Sequence, residues 1–177
     1  AEKWETCRGI SNSFGYNRTD DETSYLSVRA VIHMLIDIVS KNGNLLLNVG
    51  PRADGSVHAL QRECLRGLGA WLEVNGEAIR GTRPWSRAES TTACGIPVRF
   101  TRKDGALYAL LLGTPRAVEV RIQGMRAPAG SEVRLLGHDD RLTWRQSDED
   151  LVVQLPAPLP DQPAHALRVT SPRSDEP

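Results

Sequence analysis

The sequence predicts an α/β segment followed by an all-β one. Two patterns set this division. The first 85 residues mix helix-period stripes with short buried-strand runs, and from Pro97 onward brief alternating runs recur between turn signals about every 8–12 residues. A third observation is the break in composition over Ser86–Ile96, directly after Pro84-Trp85. The expected organisation is therefore an α/β unit over 1–85, a linker over 86–96, an antiparallel β-sandwich over 97–170 and a frayed tail over 171–177.

A first strand is expected near Trp4. Ser27 then caps a helix reaching about Lys41, with Val28, Val31, Ile32, Leu35, Ile36 and Val39 on one face. Lys41 supplies a C-terminal charge and Gly43 a left-handed stop. Asn44–Val49 is a short apolar run that reads as a buried strand. Gly50-Pro51 and Asp54-Gly55 break the chain before a second helix, expected from a Ser56 cap to about Val74 with Gly76 beyond its end. Helix, buried strand, helix is the pattern of a parallel sheet covered on both faces, yet two strands do not make a sheet that stands alone. In the second part, Val98 and Phe100 alternate with Arg99 and Thr101, and Asp104-Gly105 offers a hairpin turn. Leu107–Leu112 is a more fully apolar strand. Further strands are expected around Val118–Gln123, Val133–Leu135, Leu142–Trp144, Leu151–Leu155 and Leu167–Val169, with Pro156–Pro163 as an extended crossing.

Basic and acidic side chains both number 22, ten of each in residues 1–85 and twelve of each thereafter. Displacing counterions from nucleic acid needs clustered positive charge, so no nucleic-acid partner is expected. Purely apolar stretches run only a few residues against the about 20 needed to span a bilayer, so no membrane crossing is expected either. No signal peptide is visible, but the sequence opens on Ala1 and is expected to be a piece of something longer. Cys7, Cys64 and Cys94 form neither a disulfide framework nor a Cys-x-x-Cys site; they read as buried free thiols and favour a cytoplasmic location. His33, His58, His138 and His165 are scattered, so no metal is expected.

The carboxylates that stand out are Asp20, Asp21 and Glu22, in the polar stretch between the first strand and the first helix. A loop after a parallel strand lies at the sheet's C-terminal edge, where ligands bind, and an acid there can protonate a leaving group. The competing reading is an acidic run that complements the helix dipole. Arg8, at the end of the first strand, can fork onto sugar hydroxyls or a carboxylate, or form a surface ion pair. Trp4, Phe14, Tyr16 and Trp85 are either a sugar-stacking wall or core. Asn17-Arg18-Thr19 is formally a glycosylation sequon, read here as coincidence. The Gly50–Ser56 stretch lacks the lysine of a phosphate loop, and no nucleophile elbow is present.

Several blocks together resemble a known family: Trp4-Glu5-Thr6-Cys7, Ser13-Phe14-Gly15-Tyr16-Asn17, Lys41-Asn42-Gly43-Asn44-Leu45-Leu46-Leu47-Asn48-Val49-Gly50-Pro51, and Trp71-Leu72-Glu73-Val74-Asn75-Gly76-Glu77-Ala78-Ile79. In that order they resemble the C-terminal third of glycoside hydrolase family 29 α-L-fucosidases. The resemblance implies the C-terminal end of a (β/α) TIM-like barrel over 1–85, followed by an antiparallel β-sandwich that buttresses it. A complete barrel needs about 250 residues, which accounts for the missing strands. It also implies a retaining exo-glycosidase acting on fucosylated oligosaccharides or glycoconjugates without cofactor or metal, its two carboxyl groups about 5–5.5 Å apart.

The nucleophilic aspartate of that family lies on an earlier strand with no counterpart in this sequence, so the chain alone is expected to be inactive. Arg8 matches an arginine that contacts the sugar in some members. The acid/base belongs to the variable loop after Gly15-Tyr16-Asn17. An ungapped match falls on Asp20, and a shift of two residues falls on Glu22; glutamate is the family's usual residue, so Glu22 is preferred and Asp20 is the alternative. A reading from another class is a non-catalytic carbohydrate-binding or scaffolding module derived from a fucosidase. Residues 86–177 are expected to fold alone, and 1–85 are not.

Overall fold

The computed structural model describes residues 2–156 and 158–171. Of the tail expected over 171–177, only Ser171 is among them; 172–177 lie outside the described residues. Strands β1 (Trp4–Gly9) and β2 (Gly43–Asn48) pair in parallel, with Trp4 opposite Gly43 and Gly9 opposite Asn48. Helix α1 (Val28–Ser40) connects them. As expected, its N-cap is Ser27, whose hydroxyl accepts from the Ala30 N–H at 3.1 Å and satisfies a donor the first turn leaves open.

The stop after α1 differs from expectation. Asn42, not Gly43, takes the left-handed conformation, with φ of 70°. Gly43 is already in β2, and a Cβ there would lie 2.6 Å from the Trp4 ring and 2.7 Å from Ile38. Its glycine serves close approach, not backbone freedom. Helix α2 (Ala59–Asn75) also starts later than expected: its cap is His58, whose Nδ1 accepts from the Leu60 N–H at 3.3 Å. Ser56 is used in the preceding turn, where its carbonyl accepts from the Arg52 N–H and its own N–H donates to Asp54. Gly76 follows α2 as expected and leads into a short 3-10 turn, Gly76–Ala78.

Eight further strands follow: β3 (Arg83–Thr91), β4 (Pro97–Lys103), β5 (Ala106–Leu111), β6 (Glu119–Ile122), β7 (Glu132–Leu135), β8 (Trp144–Ser147), β9 (Asp150–Gln154) and β10 (His165–Thr170). They form a five-stranded antiparallel sheet in the order β3-β4-β5-β10-β7 and a three-stranded one in the order β6-β9-β8. The β4–β5 hairpin turns on Asp104 and Gly105, with φ of 49° and 76°, the left-handed pair that matches strand twist. The linker expected over 86–96 is a correction: residues 86–91 belong to β3. Among the described strands this edge strand is a sheet neighbour of β4 alone, and its register shifts between Pro84 and Glu89, which destroys the alternation by which strands are read.

Between the two sheets, Val98, Phe100, Leu111, Val133 and Leu167 meet Val120, Ile122, Leu151 and Val153, a sandwich core. The other face of the five-stranded sheet is also covered. Tyr108, Leu110 and Ala166 pack against Ile32 and Ile36 of α1 and Trp71 of α2. The Trp71 Nε1–H donates to the Ala164 carbonyl at 2.8 Å, and His33 Nε2 lies 2.7 Å from the Pro163 carbonyl. A smaller core of Ile10, Val31 and Cys64 sits between the helices and the parallel pair; of the three thiols expected to be buried only Cys64 is, and Cys7 and Cys94 are exposed. Each fully buried large apolar side chain contributes about 1.5–3 kcal/mol, whereas an exposed ion pair contributes about 0–1. The helix–sheet seam therefore outweighs the polar bridge beside it, in which Arg99 of β4 contacts Asp37 of α1 at 2.6 Å and Glu89 of β3 at 3.2 Å.

Candidate functional site

The parallel strands end side by side at Gly9 and Asn48, and the two loops that leave them meet there. Ser11–Leu26 follows β1 and Val49–Val57 follows β2. Asn48 donates from Nδ2 to the Phe14 carbonyl at 2.5 Å. Gly50 lies so close to the first loop that a Cβ would sit 2.6 Å from the Gly15 carbonyl carbon and 2.7 Å from the Tyr16 nitrogen. The Arg52 guanidinium stands over the Tyr16 ring, 5.5 Å from its centroid. The first loop returns to the sheet through a bridge between Ser11 and Tyr25 and a bond from the Leu26 N–H to the Ile10 carbonyl at 2.8 Å. Tyr25 is stacked on His58, with ring centroids 4.9 Å apart and planes 8° from parallel. Burial raises the Tyr25 phenol above its usual range; the nearby Asp20 and Tyr16 add to this and Arg52 opposes it.

Asn17 organises the acidic stretch. Its Oδ1 accepts from the Thr19 N–H at 3.1 Å and the Thr19 hydroxyl at 2.9 Å, an Asx turn, while its Nδ2 donates to Ser13 Oγ at 3.2 Å and Asp20 Oδ1 at 2.9 Å. Asp20 is half-buried within this arrangement. Asp21 is occupied in capping the 3-10 turn Glu22–Ser24. Its carboxyl lies below the usual range, chiefly through the hydrogen bond from the Thr23 hydroxyl. Glu22 is exposed and forms no hydrogen bond or ion pair among the described residues; it lines a groove with the start of α1 and with Leu60, Glu63 and Cys64 of α2.

Arg8 lies in β1 opposite Leu47, one residue before the strand's end. It is half-buried and likewise has no partner among the described residues. Asp20 is thus gathered with Tyr16, Tyr25 and Arg52, whereas Glu22 sits on the helical side. The four aromatics do not form one wall. Phe14 and Tyr16 are exposed at the strand ends, Trp4 is at the opposite end of β1 with its Nε1–H on the Lys41 carbonyl, and Trp85 packs edge-on against Phe100. Sequence reasoning missed Asn17, Arg52 and the Tyr25–His58 stack. The signal for Asn17 was present, since the Asn-x-Thr spacing of a sequon is also that of an Asx turn. Among the described residues no group of three His, Cys, Asp or Glu side chains could hold a metal ion, and no helix is long and apolar enough to cross a membrane.

Comparison with known proteins bears on this arrangement directly. Residues 1–77 match the alpha-L-fucosidase family model, and residues 92–170 match that of the alpha-L-fucosidase C-terminal domain. The human plasma alpha-L-fucosidase is 36% identical over 157 residues, which cover 87% of this chain and 34% of that protein. An alpha-L-fucosidase of Branchiostoma floridae is 35% identical over 173 residues, covering 94% of this chain and 38% of that one. Among solved structures, the Thermotoga maritima alpha-fucosidase in complex with fucose superposes with a TM-score of 0.86 at 39% identity, over 95% of this chain and 40% of that one. The Thermotoga maritima alpha-L-fucosynthase in complex with alpha-L-Fuc-(1-2)-beta-L-Fuc-N3 gives 0.88 at 39% identity, over 95% and 39%. The chain spans little more than a third of the length of these relatives. The expected fold class holds, with a parallel α/β end of a TIM-like barrel followed by antiparallel β-sheets. Matched along both its parts, the chain belongs to glycoside hydrolase family 29, the α-L-fucosidases, and carries the C-terminal portion of that family's structure.

Proposed function

We propose that this chain closes the catalytic barrel of a retaining exo-α-L-fucosidase and supplies its acid/base, while the nucleophile is contributed by a part of the protein outside this sequence. Residues 1–85 form the barrel portion and the sandwich supports it. The substrate is a glycan ending in an α-linked fucose, the class suggested by the fucose and fucosyl disaccharide bound to the Thermotoga relatives. Asp20 is the acid/base in this reading, in preference to Glu22. The observation that carries it is placement. Asp20 stands where the loops after both parallel strands converge, steadied by Asn17 through one carboxyl oxygen, with the other oxygen left to deliver a proton. Glu22 faces the groove beside α2 instead.

In the first step Asp20 protonates the glycosidic oxygen as the nucleophile attacks the anomeric carbon. In the second it takes a proton from the water that releases fucose. Arg8, half-buried at the strand end without a partner among the described residues, forks onto the sugar hydroxyls. The test is a leaving-group series in the full-length protein. Asp20→Asn should lower kcat/KM, which reports the step that expels the leaving group, by about 10²–10⁴-fold for aryl fucosides with poor leaving groups and leave it nearly unchanged for the most activated ones. Glu22→Gln should show no such dependence. A leaving-group dependence in Glu22→Gln and not in Asp20→Asn would reverse the assignment, and turnover of an aryl α-L-fucoside by these 177 residues alone would overturn the placement of the nucleophile.

A further inference from the structure

In the β3–β4 pair, Arg83 stands directly opposite Arg102. Like charges in that position repel, and a negative group held between them relieves the cost. Neither arginine has an ion pair among the described residues, and nor do Lys3 and Lys103 on either side. Each arginine is instead steadied by one backbone carbonyl. Arg83 Nη1 donates to Thr82 at 3.0 Å and Arg102 Nε to Pro84 at 3.1 Å, while Lys103 Nζ donates to Arg80 at 3.3 Å. Both arginines are exposed residues.

These side chains border two adjoining recesses. One, of about 900 Å³, is lined by Lys3, Arg83, Trp85 and Arg102. The other, of about 400 Å³, continues to the β4–β5 turn. Asp104 is the one carboxylate in either lining among the described residues. In a chain whose charges cancel, four cations against one acid is a strong local surplus. Trp85 lines both recesses, its ring edge-on to Phe100 with centroids 4.9 Å apart.

We propose that this recess binds an anionic saccharide, one carrying sulfate or carboxylate groups. Arg83 and Arg102 clasp the anionic group, and Trp85 packs against the apolar face of a sugar ring. A planar guanidinium already oriented by a carbonyl presents paired N–H donors that match the oxygens of a sulfate or carboxylate. A single-stranded nucleic acid would need a longer cationic track with successive aromatic platforms, and the recess offers one aromatic. The site lies at the N-terminal end of β1, where Lys3 enters the strand, whereas the Asp20 loop leaves the C-terminal end.

Isothermal titration of the full-length protein with a heparin hexasaccharide tests this, with maltohexaose and a DNA dodecamer as comparisons. The heparin fragment should bind and maltohexaose should not. Replacing both arginines, Arg83→Gln with Arg102→Gln, should weaken binding about tenfold or more. Lys3→Gln with Lys103→Gln should also weaken it, and this pair decides the matter if the arginine variant fails to fold. Arg62→Gln with Arg66→Gln removes the same charge from the exposed side of α2 and should change nothing. Failure of the heparin fragment to bind, an equal loss in the α2 variant, or equally tight binding of the DNA would each overturn the proposal.

Discussion

Gly50 lies where two loops touch, and its missing side chain is what allows them to. A methyl group there would meet the backbone of Gly15 and Tyr16, atoms that cannot rotate away as a flexible side chain could. Gly50→Ala should therefore cost about 1–3 kcal/mol, the range for overpacking, and push Tyr16 away from Arg52. A lowered melting temperature, together with faster hydrogen exchange confined to residues 11–26, would bear this out; an unchanged protein would show that the loops are less tightly apposed. At this scale the sequence was partly legible. Ser27 announces itself as a cap because its hydroxyl acts on its own turn. The positions of Asp20 and Glu22 were not, because they depend on Asn17 and on a loop from another strand, contacts that no spacing rule encodes.

Helix α1 is the element that touches most of the molecule, and its apolar stripe was plain from residue spacing. Less plain was that the stripe divides, Val31 facing the parallel strands and Ile32 and Ile36 facing the larger sheet. Its polar edge carries Asp37, which receives hydrogen bonds from Lys41 at 2.9 Å and Arg99 at 2.6 Å. Burial alone raises the Asp37 carboxyl, but these bonds and the two positive charges outweigh it and hold the group below its usual range. A carboxyl held low in the folded state stabilises the fold above its unfolded pKa of about 3.9 and loses that effect as pH falls through the lower folded value. Because Asp37 is partly exposed, the effect should be about 1 kcal/mol or less. Urea melts of the native chain and Asp37→Asn should differ by a constant amount from pH 7 to 5 and converge below about pH 4. A difference that grows on acidification would contradict the stated sign. Strand β3 escaped the sequence entirely, since its shifted register and single partner leave no period of two to detect.

The whole molecule is held by a sheet buried on both faces. Residues 86–177 were expected to fold alone, but Tyr108, Leu110 and Ala166 would then face water in place of Ile32, Ile36 and Trp71. A hint was present in Leu107–Leu112, which is nearly continuous in apolar residues where a strand with one wet face would alternate. Calorimetry of the full chain should accordingly show one transition, with van't Hoff and calorimetric enthalpies in agreement. Two separated transitions would mean that the seam contributes little. The same seam governs how such proteins could be recombined. A chimaera that joins the β-sandwich of one fucosidase to the barrel of another at the boundary in sequence would cut through Tyr108, Leu110 and Ala166 on one side and Ile32, Ile36 and Trp71 on the other, pairing surfaces that were never fitted together. A workable exchange would follow the contact surface, carrying the inward residues of α1 and α2 along with the sandwich they cover.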